Sequence, residues 1–505
     1  MFRPAYRRRM FALARTFALI GVDAEPVHVE VDIGGGLPSF TIVGLPDTAV
    51  RESRERVRSA LRNSGFKHPD HRITVNLAPA DVRKAGPGFD LAIAAGILAA
   101  TGQLPRAVVD NYAMAGELAL DGAIRPAPGA LAMAEGARGL GLRGVAVAPS
   151  DAGQAALIGG LEVMPVEHVT QLVELAQGRI EPVPRTELAA GPEGGLPDLS
   201  DLRGHPALRR CLEIAAAGAH SLLLIGPPGG GKTLALQRLP SLLPPLSLNE
   251  VIEVTRIAGV CGENGGPRLR RPFRAPHHTV SGRALVGGGA PPRPGEVTRA
   301  HRGVLFLDEL GEFRRDALEA LRVPLEDGEV TVARTTGSIS LPCRFMLVAA
   351  SNPCPCGNGR DSGECDCHPG AVSRYLAKLS GALADRIDIT MNVDPPPAQE
   401  LIEEESEDSA AVRERVIEAR RIQERRLGSG RTNCDMTPSE VSRDCELEKS
   451  SRRLLENAHR QLGLSARGWD RCLRLARTIA DLAGEERISD EHVLEAIEKR
   501  RRPES

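Results

Sequence analysis

The segment from Ser221 to Leu236 constrains the fold more than any other part of the 505-residue chain. It reads SLLLIGPPGGGKTLAL: an apolar run, then the pattern G-x-x-x-x-G-K-T, then a run typical of a helix. Glycines at such a turn let backbone N–H groups close around phosphate oxygens, and the lysine reaches the outer phosphates. A plain glycine-rich turn would not require both the strand before it and the helix after it. The predicted phosphate-binding residues are Gly226, Pro227, Pro228, Gly229, Gly230, Gly231, Lys232 and Thr233.

A second apolar run, GVLFLDEL, ends in Asp308 and Glu309. An acidic residue at the end of such a strand can hold Mg²⁺ together with the Thr233 hydroxyl. The glutamate beside it can orient and deprotonate an attacking water. The alternative is a pair of carboxylates that caps a helix. With the phosphate loop present, the pair predicts hydrolysis of a nucleoside triphosphate, with ATP and Mg²⁺ as cofactors.

A third apolar run, FMLVAASNP, carries Asn352 at its end, and LSGALADRIDI further on carries Arg386. This order of loop, acidic strand and polar-tipped strand resembles the AAA+ ATPases. The resemblance implies that Asn352 contacts the γ-phosphate or the lytic water. It also implies that Arg386 is an arginine finger inserted into a neighbour's site. A surface salt bridge is the alternative for Arg386.

The segment LSARGWDRCLRLARTIADLAG resembles the lid helix that brings another arginine toward the nucleotide. Arg467 matches best and Arg471 second. Because Arg474 and Arg477 follow at helical spacing, some of the four must serve packing or DNA contact rather than the nucleotide.

The overall composition limits the kinds of partner that the chain can bind. The net charge is −2, so any nucleic-acid surface must be local. Three tyrosines, ten phenylalanines and one tryptophan argue against extended base-stacking platforms. The start of the chain imitates a signal peptide, but Arg15 interrupts its apolar run, and no stretch is long enough for a membrane span. We expect a cytoplasmic protein with reduced thiols and no membrane partner.

Alternating strands and amphipathic helices fill the first part of the chain, two Pro-rich or acidic stretches interrupt it, and the last part is charged without β signals. We therefore predict a multidomain α/β protein. The predicted parts are an N-terminal extension (1–10), an α/β domain (11–180), a linker (181–200), the ATPase domain (201–395), an acidic linker (396–410) and a helical domain (411–500).

With these motifs placed, the chain from about Phe11 resembles the YifB/ComM family, the magnesium-chelatase-like AAA+ proteins. The resemblance rests on VGLPDTAVRESRERVRSAL and ITVNLAPADVRKAGPGFDLAIA in front, the ATPase motifs, and LSARGWDRCLRLARTIADL behind. It implies a homo-hexameric motor on branched or single-stranded DNA, a branch-migration helicase of natural transformation, with recombination proteins as candidate partners. It also implies a C-terminal helical lid on the AAA+ core.

The front domain resembles the Lon-protease-like fold, which is similar to domain 2 of ribosomal protein S5. Active Lon proteases have serine in a G-P-S-A-G segment, whereas this chain reads GPGFD with Gly88 at that place. Without a hydroxyl there is no nucleophile, so we predict no peptidase activity.

Two segments are candidates for DNA contact in the ring channel. Residues 268–278, RLRRPFRAPHH, hold four arginines, one phenylalanine and two histidines. The segment EDGEVTVARTTGSISLP is typical of a β-hairpin with Arg334 near its tip. A solvated basic loop is the alternative for both.

Four cysteines, Cys354, Cys356, Cys365 and Cys367, cluster immediately after Asn352. Thiolates are good Zn²⁺ ligands, although C-x-C is tighter than the usual C-x-x-C spacing. Structural zinc, unliganded thiols and a redox pair all remain open.

Two other functions stay open beside the DNA motor. The motor subunit of a porphyrin-metal chelatase shares the ATPase motifs but lacks the front domain. A protein-remodelling chaperone would use the same nucleotide site on a polypeptide.

Overall fold

The computed structural model describes residues 10–185, 195–263, 265–289, 292–334, 337–359, 365–380, 383, 386–397, 407–462 and 465–500. Most of the predicted extension 1–10, part of the linker 181–200 and most of the acidic linker 396–410 lie outside these residues.

A seven-stranded mixed sheet with helices organises the front of the chain, in the strand order β3-β4-β2-β1-β5-β8-β9. Its strands are β1 (Met10–Ile20), β2 (Asp23–Gly34), β3 (Ser39–Val43), β4 (Arg72–Ala78), β5 (Tyr112–Met114), β8 (Gly144–Val147) and β9 (Glu162–Pro165). The short strands β6 (Glu117–Leu118) and β7 (Ile124–Arg125) pair with each other separately. The helices are α1 (Thr48–Asn63), α2 (Asp90–Ala100), α3 (Arg106–Asn111), α4 (Ala130–Gly139), α5 (Pro149–Ala155) and α6 (Gln171–Ala176).

The apolar run that imitates a signal peptide is the strand β1 near the centre of this sheet. It pairs with β2 along its full length, from Met10 with Ile33 to Ile20 with Asp23. Arg15, which interrupts the run, donates from Nη1 to the carbonyl of Asp110 at 2.5 Å. Helix α2 is buried at all of its eleven positions, as expected of a helix that is apolar all round.

A parallel five-stranded sheet forms the middle of the chain, in the order β11-β14-β17-β10-β18. The strands of this part are β10 (Leu222–Ile225), β11 (Phe273–Arg274), β12 (Gly287–Gly288), β13 (Arg293–Pro294), β14 (Val304–Leu307), β15 (Glu329–Arg334), β16 (Gly337–Pro342), β17 (Met346–Ser351) and β18 (Ile389–Asn392). The helices are α7 (Pro206–Gly218), α8 (Lys232–Leu242), α9 (Leu248–Val260), α10 (Gly282–Val286), α11 (Glu296–Arg299), α12 (Arg315–Ala320), α13 (Arg322–Asp327) and α14 (Pro369–Ser380). The central strands are buried on both faces, which explains their continuous apolar sequences.

Helices make up the regular structure of the last part, within its described residues. They are α15 (Ser409–Leu427), α16 (Pro438–Asp444), α17 (Lys449–Leu462), α18 (Ala466–Ala483) and α19 (Asp490–Glu498). Leu212 of α7, Val416 of α15 and Leu475 of α18 belong to one buried cluster. The helical part therefore shares a core with the five-stranded sheet.

The front sheet also packs on the middle part. The Gly129 amide donates to the Gly259 carbonyl at 3.2 Å, and Gln154 Nε2 donates to the Gly265 carbonyl at 2.7 Å. A Cβ added at Gly21 would lie 2.6 Å from Ile339 Cγ2 on the hairpin β15–β16. The described residues thus join front and middle parts through helix α9 and this hairpin.

Candidate nucleotide-binding site

The predicted phosphate loop connects β10 to α8, so the expected order of strand, loop and helix is confirmed. Gly231 precedes the helix with φ of 80°, a left-handed conformation that glycine adopts without cost. Position 226 requires glycine because the backbone at Val393 comes close to it. An added Cβ would lie 2.0 Å from the Val393 carbonyl oxygen. The loop's shape therefore depends on its glycines before any ligand is considered.

Lys232 is largely buried and lies at the centre of the site. Its Nζ donates to the Gly226 and Pro227 carbonyls at 2.6 and 2.7 Å and lies 3.5 Å from Asn352 Oδ1. Burial lowers the pKa of Lys232, and the nearby Asp308 charge offsets part of that effect. The structure thus brings the predicted lysine and the polar tip of β17 together.

Thr233 and Asp308 meet on the other side of the loop, where Thr233 Oγ1 donates to Asp308 Oδ2 at 3.1 Å. A hydroxyl and a carboxylate at this separation fit Mg²⁺, which prefers oxygen ligands and is usually held by few protein groups. The parallel strands β10, β17 and β14 are neighbours, so their carboxyl ends bring all these residues to one edge of the sheet.

Glu309 follows with a left-handed backbone, φ 52°, which is strained for a residue other than glycine. Its amide donates to Asp308 Oδ1 at 2.9 Å, and its side chain is 58% exposed. The Oε2 atom lies 3.4 Å from Nδ1 of His278. Sequence reasoning placed His278 in the basic segment 268–278 and missed this contact.

The two predicted arginines lie together, away from the loop of their own chain. Arg386 and Arg467 both bind the carboxylate of Glu326, and all three line a cavity of about 680 Å³. Ser221 and Gly303, which precede β10 and β14, line the same cavity. The cavity therefore opens at the amino ends of the strands, whereas the phosphate loop follows a carboxyl end.

The other arginines of α18 bind groups of their own chain. Arg471 Nε lies 3.3 Å from Asp388 Oδ1, and Arg474 donates to the Cys434 and Met436 carbonyls. Arg477 Nε donates to Asp481 Oδ1 at 3.1 Å. The expectation that some of the four serve packing is met by Arg471, Arg474 and Arg477.

Asp388 anchors this helix to the sheet. Burial pushes the pKa of Asp388 up, but the His220 ring 3.6 Å away and the charge of Arg471 outweigh burial and hold it below its ordinary value. Asp388 stays ionised as the partner of Arg471 on helix α18.

The four clustered cysteines meet in space although they are separated in sequence. Their sulfur atoms all lie within 4.8 Å of one another. The Sγ atoms of Cys354 and Cys356 are 3.2 Å apart, and each is 3.6 Å from that of Cys365. Thiolates bound to zinc at about 2.3 Å in a tetrahedron are about 3.8 Å apart, so this donor set fits Zn²⁺. The loop also contacts the phosphate loop, because a Cβ on Gly357 would lie 3.1 Å from Pro228.

In the basic segment, Arg268 ion-pairs with Glu263 at 3.1 Å, Arg271 with Glu250 at 3.2 Å and Arg274 with Glu296 at 2.7 Å. These arginines are therefore partly neutralised within the chain.

The second DNA candidate, residues 326–342, is the predicted hairpin: β15 pairs with β16, with Arg334 opposite Gly337 near the turn. The side chain of Arg334 lies outside the described residues.

Three family models match successive parts of the chain. The model described as magnesium chelatase, subunit ChlI, matches residues 198–401, subunit ChlI of Mg-chelatase matches 29–151, and the ChlI C-terminal model matches 406–500. The fold and the site thus define a magnesium-chelatase-like AAA+ protein.

Two relatives match this chain over nearly its full length. "Uncharacterized protein YifB" of Salmonella typhimurium is 43% identical over 495 residues, covering 97% of both chains. "Competence protein ComM" of Haemophilus influenzae is 41% identical over 495 residues, 96% of both. The chain belongs to the YifB/ComM family.

A "Magnesium-chelatase 38 kDa subunit" of Cereibacter sphaeroides matches less, 29% identical over 173 residues, or 30% of this chain and 52% of that subunit. Among the described helices, none combines the length and apolar character needed to cross a membrane.

Proposed function

We propose that this protein is an ATP-hydrolysing motor that acts on DNA, as a hexameric ring that moves branch points during recombination. One observation carries the ATPase part: Lys232 reaches Asn352 while Thr233 reaches Asp308, at the carboxyl ends of three adjacent strands. This arrangement can surround a triphosphate and its metal ion from both sides.

The reaction is the hydrolysis of ATP to ADP and phosphate. The water oxygen bonds to the γ-phosphorus, the bond from that phosphorus to the β,γ-bridging oxygen breaks, and Glu309 accepts the water's proton. Lys232 binds the outer phosphates, and Asn352 orients the γ-phosphate or the water. Thr233 and Asp308 would hold Mg²⁺, which neutralises phosphate charge when bound.

The position of the two arginines supports assembly into a ring. Arg386 and Arg467 line a cavity at the opposite ends of the strands from their own phosphate loop. Arginines placed there are suited to the nucleotide of a neighbouring copy, where they stabilise transition-state charge. The protein is thus proposed to work as a homo-oligomer with composite sites.

DNA is the proposed substrate because the near-full-length relative from Haemophilus influenzae is named as a competence protein. The basic segment 268–278 supplies a candidate contact for phosphates, with recombination proteins as further candidate partners. The chelatase motor is disfavoured because its relative matches only 30% of this chain.

The front domain is proposed to be an inactive Lon-protease-like domain that docks a partner or supports the ring. Gly88 lies in a short 3-10 helix, and an added Cβ would lie 3.2 Å from that of Ala127. The described structure offers no hydroxyl at this position for a nucleophile.

The four cysteines are proposed to hold a structural zinc ion. Since their loop follows Asn352 and contacts Pro228, the metal would fix the end of β17 against the phosphate loop.

ATP hydrolysis by the purified protein tests the proposal, measured alone, with single strands, with a four-way junction and with an unfolded protein. We expect the junction to accelerate turnover, and added salt to weaken this stimulation. Labelled strands should be displaced by the wild type and not by Glu309→Gln. Stimulation by unfolded protein instead of DNA would favour the remodelling chaperone.

A further inference from the structure

The strand β3 forms a free edge of the front sheet. It is the first strand in the order β3-β4-β2-β1-β5-β8-β9, and it pairs in parallel with β4 from Ser39 opposite Arg72 to Val43 opposite Asn76. Within the described residues, no strand lies along its other side. Such an edge offers backbone N–H and C=O groups, which an extended peptide can join as an added strand.

Apolar side chains are exposed at and beside this edge. Leu37 is 89% exposed, Val43 41% and Leu45 58%. Ten large apolar side chains are exposed in the described part of the chain, and three of them fall within residues 37–45. Leu45 also has φ of 55°, a strained conformation for leucine, and its carbonyl accepts from the Lys84 amide at 3.3 Å. The fold thus holds apolar side chains in solvent here, as at many protein interaction sites.

Helix α1 covers β3 on one face of the sheet. Phe40 and Ile42 of β3 pack against the front core to which Val57 and Leu61 of α1 belong. Because side chains alternate along a strand, Val43 lies on the opposite face, where it is exposed. The edge therefore has a helix above one face and solvent at the other.

The two flanks of α1 face different neighbours. On one flank, Arg56 Nε donates to Asp90 Oδ2 at 2.7 Å, at the start of α2. Helix α2 packs on β1 and β2, which lie farther from the edge than β4. The other flank of α1 therefore faces the free edge of β3. It carries an arginine row, four exposed residues at three- and four-residue spacings: Arg51, Arg54, Arg58 and Arg62.

His68 shows that the arginine row reaches β3. Its ring lies 6.3 Å between centroids from the ring of Phe40. Burial lowers the pKa of His68, and the charges of Arg62 and Arg58 lower it further. Both guanidinium groups are therefore close to a ring that contacts the edge strand.

The charge of the arginine row is weakly compensated by its own chain. Arg54 and Arg62 have carboxylate oxygens no nearer than 3.8 and 4.0 Å, both at exposed positions. In the described part of the chain, no ion pair involves Arg51 or Arg58. Exposed pairs at such distances contribute little, so an incoming carboxylate has four guanidinium groups to meet.

We propose that β3 and the arginine row form a docking site for an extended peptide of a partner protein in which acidic and apolar residues alternate. The peptide pairs its backbone with the free side of β3. Its side chains then alternate between the two faces, so its carboxylates meet the arginine row while its apolar side chains lie beside Val43. This site gives a location to the docking role proposed for the front domain, and it rests on that role but not on ATP hydrolysis or DNA.

A nucleic acid fits the same surface less well. Its phosphates could meet the arginines, but it has no peptide backbone to extend the sheet and no aliphatic side chains for Leu37, Val43 and Leu45. The exposed carboxylates of Glu52 and Glu55 on α1 would also repel a continuous polyanion, whereas a peptide can place its charges between them.

Fluorescence anisotropy of a labelled ten-residue peptide tests the site on the full-length protein. The peptide alternates glutamate with valine, and a control peptide has lysine in place of glutamate. We expect the acidic peptide to bind at least about tenfold more tightly than the lysine peptide. Methylation of alternate backbone nitrogens in the acidic peptide should weaken binding by about tenfold, because it removes donors to β3 and leaves the charges unchanged.

The arginine row is tested by the double variant Arg54→Ala with Arg58→Ala. Alanine favours a helix, so the variant should fold, and the acidic peptide should bind about three- to tenfold more weakly. Arg138→Ala, at an exposed position of α4 in the same domain, should bind it as the wild type does. Equal affinity for the methylated and unmethylated peptides, or an unchanged affinity in the double variant, overturns the proposal.

Two further measurements keep this site separate from the proposed motor. ATP turnover of the double variant without DNA should equal that of the wild type, because the arginine row is remote from the phosphate loop in sequence and lies on the front sheet. If a labelled single strand binds through these arginines and the acidic peptide does not, the surface is a nucleic-acid contact and the docking site fails. If a four-way junction leaves turnover unchanged, the DNA motor fails, while the peptide titration still decides the docking site.

Discussion

Arg386 and Arg467 donate to the same carboxylate oxygen, Oε1 of Glu326, at 2.5 and 3.3 Å. The two guanidinium groups come from distant parts of the chain and would repel each other without the shared anion. Arg386 is nearly enclosed with 8% of its side chain exposed, whereas Arg467 is 66% exposed. Glu326 therefore keeps both charges close to one point, where a phosphate group could replace it.

This pair predicts complementation between subunits. Arg386→Ala and Lys232→Ala should each hydrolyse ATP poorly alone, because one lacks the arginine supplied to a neighbour and the other lacks its own phosphate contact. Mixed before assembly, they should regain part of the wild-type turnover, since a Lys232→Ala subunit can donate Arg386 to a neighbour with an intact loop. Arg315→Ala serves as control, because Arg315 is an exposed arginine that pairs with Glu319 of its own helix α12. Mixtures no more active than the separate variants would contradict action across an interface.

Lys232 and Glu309 should separate binding from hydrolysis. Lys232→Ala removes a charge-assisted contact to phosphate, so nucleotide affinity should fall about 10- to 100-fold. Glu309→Gln keeps the loop and should bind ATP normally, while turnover falls about 10²- to 10⁴-fold with loss of the general base. Titration with a fluorescent nucleotide measures the affinity, and phosphate release measures the turnover. Glu312→Gln, an exposed neighbour, should change neither; equal loss of binding in the Glu309 variant would argue against its assigned role.

The cysteine cluster predicts about one zinc ion per chain in protein purified without chelator, measured by elemental analysis. Cys365→Ser should lower the zinc content and reduce Tm by at least about 2 °C, because the metal no longer closes the loop. Cys261→Ser is the matched control, since Cys261 lies outside the cluster. Wild-type protein that remains free of zinc after reduction and incubation with the metal would leave the thiols unliganded.

Glu253 predicts a loss of stability in acid. It binds His301 Nε2 at 3.1 Å and Arg302 Nε at 2.7 Å, which join α9 to the start of β14. Burial pushes the pKa of Glu253 up, but these hydrogen bonds outweigh burial and hold it at about 2. Since the folded-state pKa lies below the ordinary value of 4.5, the stabilisation is complete above pH 4.5 and disappears as pH falls toward 2.

The size of this effect is on the order of 1–2 kcal/mol, because the pair is partly exposed and screened by solvent. Glu253→Gln should lose that part of the pH dependence when the free energy of unfolding is measured by urea titration at pH 7 and pH 3.5. Glu25→Gln, at an exposed position of β2, should retain it. Parallel pH profiles for wild type and Glu253→Gln would show that the charge is unimportant.

The sequence predicted the elements around the nucleotide site because each motif carries its own local requirement. A phosphate loop needs a strand before Gly226 and a helix from Lys232, and the structure has both. The parallel order of β10, β14 and β17 then brings Asp308 and Asn352 to that loop. The hairpin β15–β16 was predictable in the same way, because alternating side chains indicate strands and the residues between them indicate a turn.

Side-chain partners between distant segments could not be predicted in this way. Four arginines at helical spacing on α18 look alike in sequence, and only the fold shows that Arg471 faces Asp388 while Arg467 faces Glu326. The contact between His278 and Glu309 joins residues that follow the ends of β11 and β14, and no local pattern in either segment specifies it.

The packing of Gly21 against Ile339 has a mechanical consequence for the proposed motor. Val22 lies in one buried cluster with Val330 and Leu341 of the hairpin, so the hairpin cannot tilt without displacing the turn between β1 and β2. That turn closes the longest ladder of the front sheet, which pairs eleven residues on each strand. Tension on the hairpin would thus be borne by a stiff two-stranded ribbon, and the front domain would act as its brace.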